Sequence, residues 1–128
     1  MNKRLLTPVA ALATALAIPA FALGSGGGGD VRNAGTCDGS STSKIKVKPD
    51  DGRLEVEFEV DQNKNGVKWD VKLKDNDDVV FRGTQTTQAP SGSFSLEKRI
   101  DDRAGTDHVV GIGRNPNSGE RCVARVSI

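Results

Sequence analysis

From Lys44 onward the chain alternates apolar and polar residues with a period of two. In "KIKVK", Ile45 and Val47 fall on one side, and Lys44, Lys46 and Lys48 on the other. In "RLEVEFEV", Leu54, Val56, Phe58 and Val60 share a side opposite Glu55, Glu57 and Glu59. In "VKWDVKLK", Val67, Trp69, Val71 and Leu73 oppose Lys68, Asp70, Lys72 and Lys74. That period belongs to half-buried antiparallel strands and not to helices. Weaker alternation continues over 79–86, 93–100, 108–114 and 121–128. Turn-forming compositions separate these runs: "PDDG", "DQNKNG", "DNDD", "TQAPSG", "DDRAGTD" and "NPNSGE". The expected fold is all-β, a seven-stranded antiparallel β-sandwich with Trp69 in its core.

If the whole of "PDDG" turns the first hairpin, Val47 faces Leu54 and Ile45 faces Val56. The same register sets Lys46 against Glu55 and Lys44 against Glu57, plus to minus on the solvent face.

Ahead of the strands, Lys3 and Arg4 precede the uncharged apolar run "LLTPVAALATALAIPAFA". A basic start, an apolar stretch and an A-x-A end describe a secretory signal peptide over 1–22. Pro8 and Pro19 and a length of roughly 18 residues make it a poor spanning helix. Residues 23–36 contain four consecutive glycines and are expected to form a flexible linker. The folded domain is then 37–128, and the expected location is extracellular, with no stable membrane insertion after cleavage. In an exported protein the cysteine pair, Cys37 and Cys122, is expected to form a disulfide. Closing so long a loop stabilises by about 4–5 kcal/mol in the chain-entropy view.

The stretch from Cys37 to Ile128 carries "SSTSKIKVKPDDGRLEVEFEVDQNKNG", the Trp69 strand, "APSGSF" and a cysteine near the last strand. In these it resembles small secreted actinobacterial proteins of uncharacterised function. Strand count and a tryptophan on the third strand also resemble immunoglobulin-like and fibronectin type III domains. The chain departs from antibody domains in having no tyrosine, and hence no tyrosine corner. Its cysteines link the N-terminal segment to the last strand, not the second strand to the sixth. What the resemblance implies is a fold, with little about activity.

In such a sandwich the connections alternate between two ends, and Cys37 and Cys122 meet at one of them. The opposite end gathers Asp50, Asp51, Asp75, Asp77, Asp78, Asp101, Asp102 and Asp107, diluted by Arg53 and Arg103. Of these, Asp75, Asp77, Asp78, Asp101 and Asp102 are weak candidates for a hard divalent cation, against the general preference of turns for aspartate. "DQNKNG" begins like a calcium loop, with Asp61, Asn63 and Asn65 at alternate positions. However, its twelfth position is Lys72 and its flanks are strands, so it is expected to be a hairpin turn at Asn65-Gly66.

Catalytic groups are sparse. His108, the lone histidine, has no evident partner and is expected at the surface, and no serine sits in a nucleophile elbow. The chain has 18 basic and 17 acidic residues, and losing Lys3 and Arg4 leaves 16 against 17. So balanced a domain is expected to bind no nucleic acid. The reading is a non-catalytic binding module, without cofactor, for an extracellular protein or surface polymer. Its expected contacts are loop residues Asp61, Asn63, Asn65, Gln88, Pro90, Asn115 and Asn117. The alternatives are a loop-type protease inhibitor and a calcium-binding structural protein.

Overall fold

The computed structural model describes residues 29–128, and every regular element among them is a β-strand. The expected signal peptide, 1–22, and the first three of the four consecutive glycines lie outside the described residues. Nine strands form: β1 (Val31–Ala34), β2 (Thr36–Cys37), β3 (Thr42–Asp50), β4 (Arg53–Asp61), β5 (Lys68–Asp75), β6 (Asp78–Thr86), β7 (Ser93–Asp101), β8 (His108–Arg114) and β9 (Arg121–Ser127). The seven expected from alternation are β3 to β9. The two short extra strands, β1 and β2, lie at the end of the segment expected to be linker. Polar and short, they carry no alternation of their own, and edge pairing holds them: Val31 to Ala34 against β3, and Cys37 against Cys122 of β9.

The strands form two antiparallel sheets, one ordered β1-β3-β4-β7 and the other β2-β9-β8-β5-β6. Their inner faces meet in one core. The first sheet contributes Ile45, Val47, Val56, Phe58, Val60 and Phe94, and the second Trp69, Val71, Leu73, Val109, Ala124 and Val126. Trp69 and Phe58 are fully buried, as the alternation requires. The Trp69 indole N–H donates to Gln62 Oε1 at 3.0 Å, which satisfies the one polar atom of that ring. On β8 the inward positions include Gly111 and Gly113. A Cβ at Gly111 would stand 2.5 Å from Phe58 Cδ1, so the missing side chain is what seats the phenylalanine ring.

The first hairpin pairs in a different register from the expected one. Val47 faces Val56, Ile45 faces Phe58, and Lys44, Lys46 and Lys48 face Glu59, Glu57 and Glu55. The turn is the two residues Asp51 and Gly52, both at positive φ (55° and 79°), so Pro49 and Asp50 stay in the strand. An Asp-Gly pair favours this tight turn because both positions need positive φ. The slip is an even number of residues, so the buried face is unchanged.

The disulfide forms as expected between Cys37 and Cys122, directly opposed across β2 and β9. The connection 62–67 is not a hairpin turn, because β4 and β5 lie in different sheets. It is a crossover between the sheets, with Asn63 and Gly66 at positive φ and Asn65 outside that region.

Candidate functional site

Alternation that buries Trp69, Val71 and Leu73 necessarily turns Lys68, Asp70, Lys72 and Lys74 to the outside of the five-stranded sheet. The partner strands add to the same face. Register places Arg82 opposite Lys72, and Thr84 opposite Asp70. On the other side of β5, Ile112 stands opposite Lys72 and Arg114 opposite Asp70. Across β8 and β9, Val123 stands opposite Ile112, Arg125 opposite Val110 and Arg121 opposite Arg114.

The outer face therefore holds a half-buried apolar strip, Val110, Ile112 and Val123, edged by basic side chains from four strands. Asp70 is the only carboxylate that alternation places on it. An open cleft of about 540 Å³ crosses this face, bounded by Asp70, Lys72, Arg82, Ile112, Arg114 and Arg121.

The two sheets treat their outer charges differently. On the four-stranded sheet opposite charges stand across from one another, with Lys44–Glu59 at 3.5 Å, Lys48–Glu55 at 3.7 Å and Arg53–Asp101 at 3.4 Å. Its like-charged cross-strand pairs are Arg32 with Lys46 and Glu57 with Glu97, and each is relieved by an opposite charge: Arg32 pairs with Asp30 at 2.8 Å, and Lys46 faces Glu57 from β3. On the five-stranded sheet, Lys72 faces Arg82 and Arg114 faces Arg121, cation against cation. Every ion pair among the described residues involves Arg32, Lys44, Lys48, Arg53, Arg99 or Arg103, none of which lies on this face. Like charges directly opposed across strands are destabilising. The sequence supplied each of these residues, but their convergence depends on the pairing of β5 with β8.

The loop residues expected to make contacts have much of their polarity turned to the chain itself. Asp61 Oδ1 accepts from the Asn63 backbone N–H at 3.0 Å. Asn115 is buried, and its Oδ1 accepts from the N–H groups of Asn117 and Ser118. The Gln88 side chain donates to the Thr86 carbonyl at 3.2 Å. Residues 61–67 and 87–92 do come together. The N–H groups of Gln62 and Asn63 both donate to the Gly92 carbonyl, and buried Thr87 accepts from Val67 N–H while donating to the Lys64 carbonyl. The third turn, 115–120, leaves the sheet at the same end, since Arg114 stands opposite Asp70, and its Glu120 accepts from the Ser41 N–H and hydroxyl at 2.9 Å. Asn65, Gln88, Pro90 and Asn117 are exposed.

At the acidic end the aspartates are laced by arginines. Asp101 pairs with Arg53, Asp50 with Arg99 at 3.4 Å and Asp78 with Arg103 at 2.9 Å, while Asp77 sits at positive φ in the β5–β6 turn. Asp75 and Asp107 are different, since both are buried. Neither Asp75 oxygen has a hydrogen-bond donor, and neither does Asp107 Oδ2. Arg103 approaches through Nε at 3.6 Å from Asp75 Oδ2 and through its backbone N–H at 3.3 Å from Asp107 Oδ1. Burial, then the neighbouring Asp107 carboxyl, pushes the Asp75 carboxyl up to about 6. Asp102 is also raised, chiefly by its hydrogen bond with Asp107. Among the described residues, the one group of three metal-ligating side chains within 4.8 Å of one another is Cys37, Glu120 and Cys122. Both of those sulfurs are held in the disulfide.

His108 is exposed, and its Nδ1 lies 2.8 Å from Ser127 Oγ. No protein-family model matches the chain, and a search of curated proteins finds no relative.

Proposed function

We propose that this chain is a secreted, non-catalytic β-sandwich of the immunoglobulin or fibronectin type III kind that binds an extracellular polymer through the outer face of its five-stranded sheet. One observation carries the reading: on that face Lys72 stands opposed to Arg82 and Arg114 to Arg121, with Asp70 the one carboxylate and no ion pair formed among the described residues, while on the other sheet Lys44, Lys48, Arg53 and Arg99 all sit in ion pairs. The fold assignment is supported by strand order. Of the seven main strands, the first, second and fifth pair in one sheet, and the other four in the second. The disulfide fits an oxidising compartment.

The expectation that the contacts lie in the connecting loops is the natural rival, and one experiment separates the two. The full chain is mixed with the envelope and matrix fraction of the cells that make it, and sedimentation measures retention. A face variant (Lys72→Gln, Arg114→Gln, Arg121→Gln) is compared with a loop variant (Asn65→Ala, Gln88→Ala, Asn117→Ala). Loss of retention in the face variant alone is the expected result. Loss in the loop variant alone would transfer the site to the loops.

A further inference from the structure

We infer that the basic face takes an acidic polysaccharide, a hydrated chain bearing carboxylate or sulfate groups. The inference rests on the face being the binding surface and asks what its chemistry can hold. Two rails of cations run along it. On β9 they are Arg121 and Arg125, and on β5 they are Lys68, Lys72 and Lys74. One strand, β8, lies between the rails. At about 4.8 Å per strand, the rails stand roughly 10 Å apart. That width accommodates one extended polymer with anionic groups directed to both sides.

The floor between the rails is Val110 and Ile112 of β8, continued by Val123 between the two arginines of β9, all half-buried. A strip of methyl groups suits the C–H face of a sugar ring. It is too shallow for an acyl chain, and Val79 at the sheet edge is the one large apolar residue that is well exposed among the described residues. Arg114 and Arg121 stand side by side where the cleft opens. Paired guanidinium forks match the geometry of carboxylate and sulfate groups better than lysine does.

The other polyanions fit less well. Single-stranded nucleic acids are held largely by bases stacked on aromatic rings. Here Trp69, Phe58 and Phe94 are buried, Phe81 lies under the Lys98 ammonium, and tyrosine is absent from the sequence. An acidic protein partner draws its affinity from buried aromatic anchors in a dry centre. This face offers aliphatic stubs among flexible cations.

The test is titration of the full chain with heparin (sulfated), alginate (carboxylated), dextran (uncharged), poly(dT) and poly-glutamate, each at two salt concentrations. At least one of the two acidic polysaccharides is expected to bind, and dextran is not. Affinity should fall at least tenfold between about 50 and 200 mM salt through counterion release. The Lys72→Gln, Arg114→Gln, Arg121→Gln variant should lose a further tenfold and show a shallower salt dependence. Comparable melting curves for the two proteins certify that the variant is folded. Failure of the wild type to bind either acidic polysaccharide overturns the inference, as does undiminished binding by the variant. Tighter binding of poly(dT) or poly-glutamate than of both polysaccharides overturns it too. If neither polysaccharide binds yet the variant still loses retention on the envelope fraction, the polymer class is wrong and the surface stands. If the variant keeps that retention, the surface falls as well.

Discussion

Replacing Asp75 with asparagine tests the buried acid pair, and its effect should depend on pH. In the wild type the Asp75 carboxyl is raised from 3.8 to about 6 by burial and by Asp107. The folded protein thus holds this proton more tightly than the unfolded chain does. The contribution is fully present below the unfolded value near 4, falls away as pH rises through about 6, and is level above that. A gap of about two pH units sets a ceiling of ~3 kcal/mol, at 1.36 kcal/mol per unit. The groups facing the site are Asp107, Asp102, Asp78 and Arg103. The raised value already contains the opposing pull of the Arg103 guanidinium, 3.6 Å from the Asp75 carboxylate. The substitution keeps the shape, removes the charge and supplies an N–H donor for the unpartnered Asp107 Oδ2. Asp75→Asn should therefore be about 2–3 kcal/mol more stable than wild type at pH 8, and the advantage should shrink to about 1 kcal/mol at pH 4.5. For a domain of this size that corresponds to several degrees in Tm at the higher pH. Thermal unfolding followed by circular dichroism at the two pH values reads both numbers. Equal destabilisation at both would refute the shared proton, and show that Asp75 is ionised and held by Arg103 throughout.

Two other substitutions probe packing and the crossover. Gly111→Ala drives a methyl group into the Phe58 ring, and since neither strand can retreat, it should cost about 1–3 kcal/mol in urea unfolding. An unchanged midpoint would mean the ring turns aside freely. Thr87→Val keeps the volume but strips the hydroxyl that joins the Lys64 carbonyl to the Val67 N–H. The expected loss is about 1–3 kcal/mol, with faster amide exchange confined to residues 62–67.

Most of the fold was legible because alternation is a local property. The boundaries of β8 follow directly from "HVVGIGR", and the burial of Trp69 follows from its parity with Val71 and Leu73. The two-residue slip in the first hairpin arose where parity is silent. Registers that differ by two residues bury the same face, and only the backbone demand at Asp51-Gly52 decides between them. The strands β1 and β2 escaped notice because neither buries a stripe of its own.

The site was half legible. The pair Arg114–Arg121 follows from the hairpin around "NPNSGE", whereas Lys72–Arg82 does not follow from the one around "DNDD", because a register shift between Leu73 and Lys74 brings Arg82, and not Phe81, opposite Lys72. What joins the two hairpins into one surface is the pairing of β5 with β8, a contact between segments far apart in sequence. Net charge therefore misled: near-neutrality of the whole chain is compatible with a strongly basic face once period two and topology sort the residues.

Such a face should carry a measurable penalty in the free protein. Opposed like charges destabilise a sheet by a few tenths of a kcal/mol per pair, more at low salt, where screening is weak. Where the cations of one sheet stand without ion pairs and most of those on its neighbour have them, the exception marks a surface shaped by something other than folding. The variant carrying Lys72→Gln, Arg114→Gln and Arg121→Gln removes one cation of the Lys72–Arg82 pair and both of Arg114–Arg121. It should melt higher than wild type at about 10 mM salt, by the equivalent of ~0.5–1 kcal/mol, and the gap should close as salt screens the repulsion. Binding should move in the opposite direction, down when stability goes up. If the variant melts lower than wild type at low salt, the cations are supporting the sheet through their aliphatic stems, and their opposed placement no longer points to a ligand.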